Sequence, residues 1–208
     1  MLDVETIEEI SPPVQFVSDL AVDFSAEHFA FAIGELKKIV AHVIAEDDSS
    51  DQQIARVRIL RYLAMQLGRA VRWVNDEADL MALVLRGLID LRFWAKYVST
   101  GPVEAARFLG EADTDSVELY RLMQKAFPEE TKSIEMPEVQ KRVGTERSPG
   151  EEEILFKLCS KFIHPTSLVL HDMEGTILSA EHRNLFAIKV LYYGWEIVQV
   201  FHPINWID

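Results

Sequence analysis

The chain reads as an all-α protein, one domain spanning 1–208 and folded as a bundle of about five to seven helices. Three observations predict this. Apolar residues recur at spacings of three and four in nearly every long segment, the period of one helix face. Hydroxyl residues stand just ahead of these runs, where helices take their N-caps. Hydrophobic residues make up 49% of the 208 residues, enough for a real core. A chain of this length buries about 70% of the surface its unfolded form exposes.

Ser25 caps the first predicted helix, with Phe24 and Phe29 placed as a hydrophobic staple. Phe29, Ile33, Leu36, Val40 and Val43 share one face, and the acidic turn 46–50 ends the run. Ser50 or Asp51 starts a second helix reaching Val74, with a stripe of Val57, Leu60, Ala64, Leu67, Val71 and Val74. The third, Ala78 to Val98, is apolar around most of its circumference, as a central bundle helix is. Ser99-Thr100-Gly101-Pro102 stops it. Two shorter helices follow, over 103–110 and 116–126. Pro128 to Gly150 carries three prolines and many charges, which marks an exposed excursion and not a domain boundary. A helix from Glu151 to His164 comes next. The β-branched and leucine residues around Glu174-Gly175 leave a short hairpin or an irregular loop open for 167–179. Ser179 caps a last, very apolar helix ending near His202-Pro203.

The formal net charge is −13. Such a chain is repelled by nucleic acid and anionic membrane unless its cations are concentrated locally. Cys159 is the single cysteine, which excludes an intramolecular disulfide and a cysteine-based zinc site and fits a reducing cytoplasm. The acidic start of the chain has no signal-peptide pattern, and no apolar run is long enough for a membrane span. P-loop and dinucleotide fingerprints are absent, so no cofactor is expected.

The stretch 160–167 concentrates the candidate chemistry. Ser160 and His164 are four apart, so they share a helix face. Pro165 ends the helix at His164, where the dipole favours a protonated imidazole. That is a site or a helix cap. Nucleophilic serines sit at strained turns beside oxyanion donors, unlike a serine inside a helix. Arg86 and Asp90 are also four apart, with Asp79, Phe93 and Tyr97 on the same face of the third helix. They are a buried pair that orients His164 or holds an anion, or else an ordinary solvated ion pair. Arg92 and Lys96 read as a peripheral basic patch. Arg58, Arg61, Arg69 and Arg72 form a stripe bordered by Tyr62 and Trp73. It can bind phosphates and stack bases, pair with carboxylates, or face water. His164, His171, Asp172 and Glu174 lie close in sequence without a metal-binding motif, so no metal is expected. His42 and Glu46 read as solvated.

Leu85-Arg86-Gly87-Leu88-Ile89-Asp90 resembles an R-x-x-x-E/D pattern. Phe156 to Ser167 resembles a Tyr-x-x-Leu-Ser-x-x-x-His-Pro-Ser pattern, with Phe156, Cys159 and Asp90 as departures. Both patterns occur in a family of all-helical bacterial proteins that looks like the HEPN helical bundles, some of which are RNases. The resemblance covers Leu80 to Ser167. The HEPN ribonuclease signature, an arginine followed by four to six residues and then a histidine, is not in this chain.

Two functional expectations follow. The first is a polar pocket formed by Arg86, Asp90, Ser160 and His164, taking a small anionic ligand or RNA. The alternative is a non-catalytic binding or regulatory module that forms a homodimer, with Arg86, Asp90 and His164 as a structural network. Neither expectation involves a membrane. Antiparallel packing of the helices carrying the two residue pairs is what brings the four side chains together.

Overall fold

Six helices account for 91% of the described residues, and none of the rest is strand. They are α1 (Ala26–Ile44), α2 (Asp51–Trp73), α3 (Ala78–Ser99), α4 (Pro102–Ala126), α5 (Glu151–Ile163) and α6 (Ala180–Phe201). This computed structural model describes residues 25–45, 50–75, 78–126, 128, 143, 150–163 and 180–203. The predicted hairpin at 167–179, the cap at Ser179, Phe24 and His164 lie outside the described residues. So does most of the excursion at 128–150.

Local chemistry sets the helix ends. The Ser25 hydroxyl accepts from the His28 amide at 3.1 Å, and Ser50 accepts from Gln53 at 3.2 Å. Each satisfies an amide that the first turn leaves without a helical partner. At the end of α3 the Ser99 and Thr100 hydroxyls both donate to the Lys96 carbonyl. Gly101 and Pro102 then open α4 at once, with Pro102 at the first helical position, where its missing N–H costs nothing. Gly150 precedes α5 with φ +104°, a conformation that side chains other than glycine rarely adopt.

Helix directions follow from the contacts. Arg56 of α2 donates to the Val43 carbonyl of α1, and Gln52 donates to the Val98 carbonyl of α3. Tyr62 and Gln66 meanwhile lie against Gly87. The start of α2 therefore faces the ends of α1 and α3, so it runs antiparallel to both. Arg86 of α3 meets Phe156, whereas Arg92 meets Glu152, so α3 and α5 are also antiparallel. α3 packs against α2, α4, α5 and α6, the central position its apolar circumference predicts. One continuous core joins Phe29 and Val40 of α1, Leu63 and Leu67 of α2, Leu85 and Leu88 of α3, Phe162 of α5, and Phe186 and Ile197 of α6. The predicted face of α1 is buried throughout.

Two expectations needed correction. The segments 103–110 and 116–126 are one helix, α4. Glycine and aspartate inside a helix each cost only about 1 kcal/mol or less. Burial of Ala105, Thr114 and Val117 holds the helix through that stretch. The buried face of α2 is also rotated from the predicted stripe. Leu60, Leu67 and Val74 of that stripe are buried as predicted and Val57, Ala64 and Val71 are half-buried, while Ile59, Leu63 and Ala70 complete the buried face. α2 is packed by α1, α3, α4 and α6, so its core face is set by four neighbours instead of one.

Candidate functional site

Arg86 and Ser160 sit where α3 and α5 pack together. Arg86 is half-buried, and its guanidinium carbon lies 4.7 Å from the centre of the Phe156 ring, a cation–π contact. Cys159 follows one turn later on α5 and is fully buried. Burial pushes its thiol up to about 12, while a backbone hydrogen bond and the nearby Arg86 charge pull the other way. A thiol held protonated is not a nucleophile at neutral pH. Ser160 is half-buried and donates its hydroxyl to the Phe156 carbonyl at 2.8 Å, a bond within its own helix. Asp90 is half-buried on α3.

Arg86 and Ser160 thus both engage Phe156, one at its ring and the other at its carbonyl oxygen. Phe156 belongs to the pattern quoted above, but its place beneath Arg86 is not readable from the sequence. His164 lies beyond the described end of α5. Among the described residues, no group of three His, Cys, Asp or Glu side chains is arranged to hold a metal. Asp79 accepts from the Leu80 amide at 2.8 Å in the first turn of α3. Phe93 and Tyr97 stack at 6.0 Å, and Trp94 packs on Phe108 of α4 at 5.1 Å. This aromatic group lies where the α3–α4 hairpin closes.

Arg92, expected at the periphery, is central. Its side chain is 15% exposed and meets two carboxylates, Glu152 of α5 at 3.3 Å and Glu196 of α6. The Glu152 side chain is itself only 9% exposed. The Arg92 guanidinium also lies over the Tyr193 ring at 5.6 Å, and the Tyr192 hydroxyl donates to Glu196 at 3.1 Å. Charges this buried need partners, and one guanidinium joins three helices here. The sequence held one signal: Glu196 stands in a nearly uninterrupted apolar helix. His42 is half-buried, and its ring lies edge-on to His202 at 6.2 Å near the ends of α1 and α6.

The class of protein this defines is an all-α bundle with a buried ionic junction and a packed α3–α5 contact. No family model, curated protein or solved structure matches the chain. No described helix is long and apolar enough to cross a membrane.

Proposed function

We propose that this protein is a non-catalytic helical binding or regulatory module. Arg86 and Ser160 then serve the α3–α5 contact through Phe156. The observation that carries this reading is the Ser160 hydrogen bond. A nucleophilic serine must deliver its proton to a base and present its oxygen to a carbonyl or phosphoryl centre. The Ser160 proton is committed to the Phe156 carbonyl, and the helix interior uses its own amides, which leaves none as oxyanion donors. The protonated, buried Cys159 supports the same reading. A homodimer belongs to it as well. Leu119, Leu122 and Met123 are exposed on α4 at the spacing of a helical seam. A reducing cytoplasmic location is supported by the lone thiol.

A small anionic or phosphodiester ligand at Arg86, in the manner the HEPN resemblance implies, is the second reading. Arg86 favours it, because stacking occupies the face of a guanidinium and leaves its N–H edge for an anion. The test is hydrolysis of bis(p-nitrophenyl) phosphate and of single-stranded RNA. Wild type is compared with Arg86→Ala, Ser160→Ala and His164→Ala. The module reading expects no turnover that depends on these residues. Turnover lost in Ser160→Ala or His164→Ala would replace it with the catalytic one. Sedimentation velocity tests the dimer, and a monomer at all concentrations would remove it.

A further inference from the structure

Arg92, Lys38 and Lys157 have carboxylate partners, and Arg56 reaches a backbone carbonyl. By contrast, no described carboxylate pairs with Arg58, Arg61, Arg69 or Arg72. The helix α2 holds five arginines against a single carboxylate, Asp51 in its first turn. Positive charge is therefore concentrated on this helix.

These four arginines share the solvent face of α2. Arg58, Arg61 and Arg72 are exposed and Arg69 is half-buried. They form two pairs, each three residues apart, with Tyr62 and Met65 exposed between them at 41% and 43%. Leu83 of α3 is 45% exposed and lies one turn from Gly87, on the face of α3 that meets Tyr62. From α1, the Lys37 ammonium approaches Gly68 on the other flank. The result is an apolar centre with cations at both ends and one side. That is the anatomy of a protein-binding patch, a desolvated centre within a polar rim. The two arginine pairs span about 21 Å of helix, the length of about four turns of a partner helix.

We propose that this face of α2 docks an acidic amphipathic helix of a partner protein. The proposal rests on the binding-module reading but uses none of Arg86, Ser160 or His164. A helix is favoured because the α2 backbone is bonded within itself and offers no edge for an extended peptide, so recognition runs through side chains at helical spacing. Methionine and leucine accept the apolar stripe of such a helix, and the arginine pairs meet carboxylates on its flanks. Nucleic acid is the poorer occupant. Single-strand sites stack bases on several aromatics, and among the described residues this face exposes one, Tyr62, at 41%. The net charge of −13 repels a polyanion far more than a short helix with a few carboxylates.

The experiment uses the full chain and three labelled probes in fluorescence anisotropy. One is a helical peptide of about 18 residues with a leucine stripe flanked by glutamates. The second has the same composition scrambled to break the stripe. The third is a random single-stranded RNA of roughly 20 nucleotides. The amphipathic peptide is expected to bind about tenfold tighter than the scrambled one. Arg61→Glu/Arg69→Glu loses about tenfold, and a peptide with lysines replacing the facing glutamates regains it. Met65→Ala weakens binding several-fold, roughly, without changing its salt dependence. Circular dichroism checks that each variant stays helical. Equal binding of the two peptides, no peptide binding, or failure of the charge swap would overturn the proposal. RNA binding tighter than the peptide and lost in Arg61→Glu/Arg69→Glu would also overturn it and assign the face to nucleic acid. Failure of the module reading itself would show in the phosphodiester assay and not here.

Discussion

Replacing Arg92 with alanine is the most informative single perturbation of this fold. It removes the guanidinium that Glu152 and Glu196 share, and neither carboxylate is well solvated, at 9% and 28% exposure. At an effective dielectric of 20, unit charges about 4 Å apart attract by about 4 kcal/mol. Much of that is offset by the cost of burying the charges. Removing one partner from a buried pair costs about 3–5 kcal/mol, mainly because the remaining charge stays buried and uncompensated. In a chain of this size each kcal/mol moves the melting temperature by about 2–4 °C, so a fall of roughly 6–20 °C is expected. Urea unfolding followed by circular dichroism, together with thermal melts, measures it. Arg92→Lys keeps the charge but loses the planar fork that spans two carboxylates, and falls between wild type and Arg92→Ala. Arg92→Met/Glu152→Leu/Glu196→Met removes the whole cluster and is expected within about 2 kcal/mol of wild type. A loss below about 1 kcal/mol in Arg92→Ala would refute the reasoning. A triple variant as unstable as the single one would do so too.

Three further outcomes are expected. Gly34→Ala meets no atom within 4 Å, so it stabilises α1 by about 0.5–1 kcal/mol. Gly194→Ala drives its Cβ to 3.0 Å from Leu36 and 3.2 Å from Leu67, and overpacking there costs about 1–3 kcal/mol. Melting temperatures moving in the same direction for both would contradict the packing of α6 on α1 and α2. The Cys159 thiol is raised from 9.0 to about 12 in the folded chain, so the native state holds its proton longer than the unfolded one. Stability from this group is complete below pH 9.0 and is lost as pH rises toward 12, by up to about 4 kcal/mol. Cys159→Ala is expected to flatten that alkaline limb, and native wild type should resist a thiol reagent at pH 8. Rapid labelling of the folded protein would argue against the burial. Finally, wild type should show no tight, steeply salt-dependent binding of random single-stranded RNA, because four arginines contact few phosphates against a net charge of −13. A slope that disappears when Arg58, Arg61, Arg69 and Arg72 are replaced would show the opposite.

The sequence alone determined whatever depends on neighbours within about four residues. Ser25 and Ser50 cap their helices because a hydroxyl ahead of an apolar-periodic run finds an amide three residues on. The face of α1 is legible because that helix offers a single apolar stripe, and α3 is central because apolar residues cover most of its circumference. The tertiary structure decided what depends on partners distant in sequence. Arg92 looks like any exposed helical arginine until α5 and α6 bring Glu152 and Glu196 to it. The α2 stripe turned toward Ile59 and Leu63 because four helices compete for that surface, and periodicity says nothing of their number. Packing carried α4 through Gly110, where propensity suggested a break. At the candidate site the sequence nominated Arg86 and Ser160, but Phe156, which receives both, is identified only by the antiparallel packing of α3 and α5. Helical period and capping are written into adjacent residues. The pairing of buried charges is a property of the packing that brings them together.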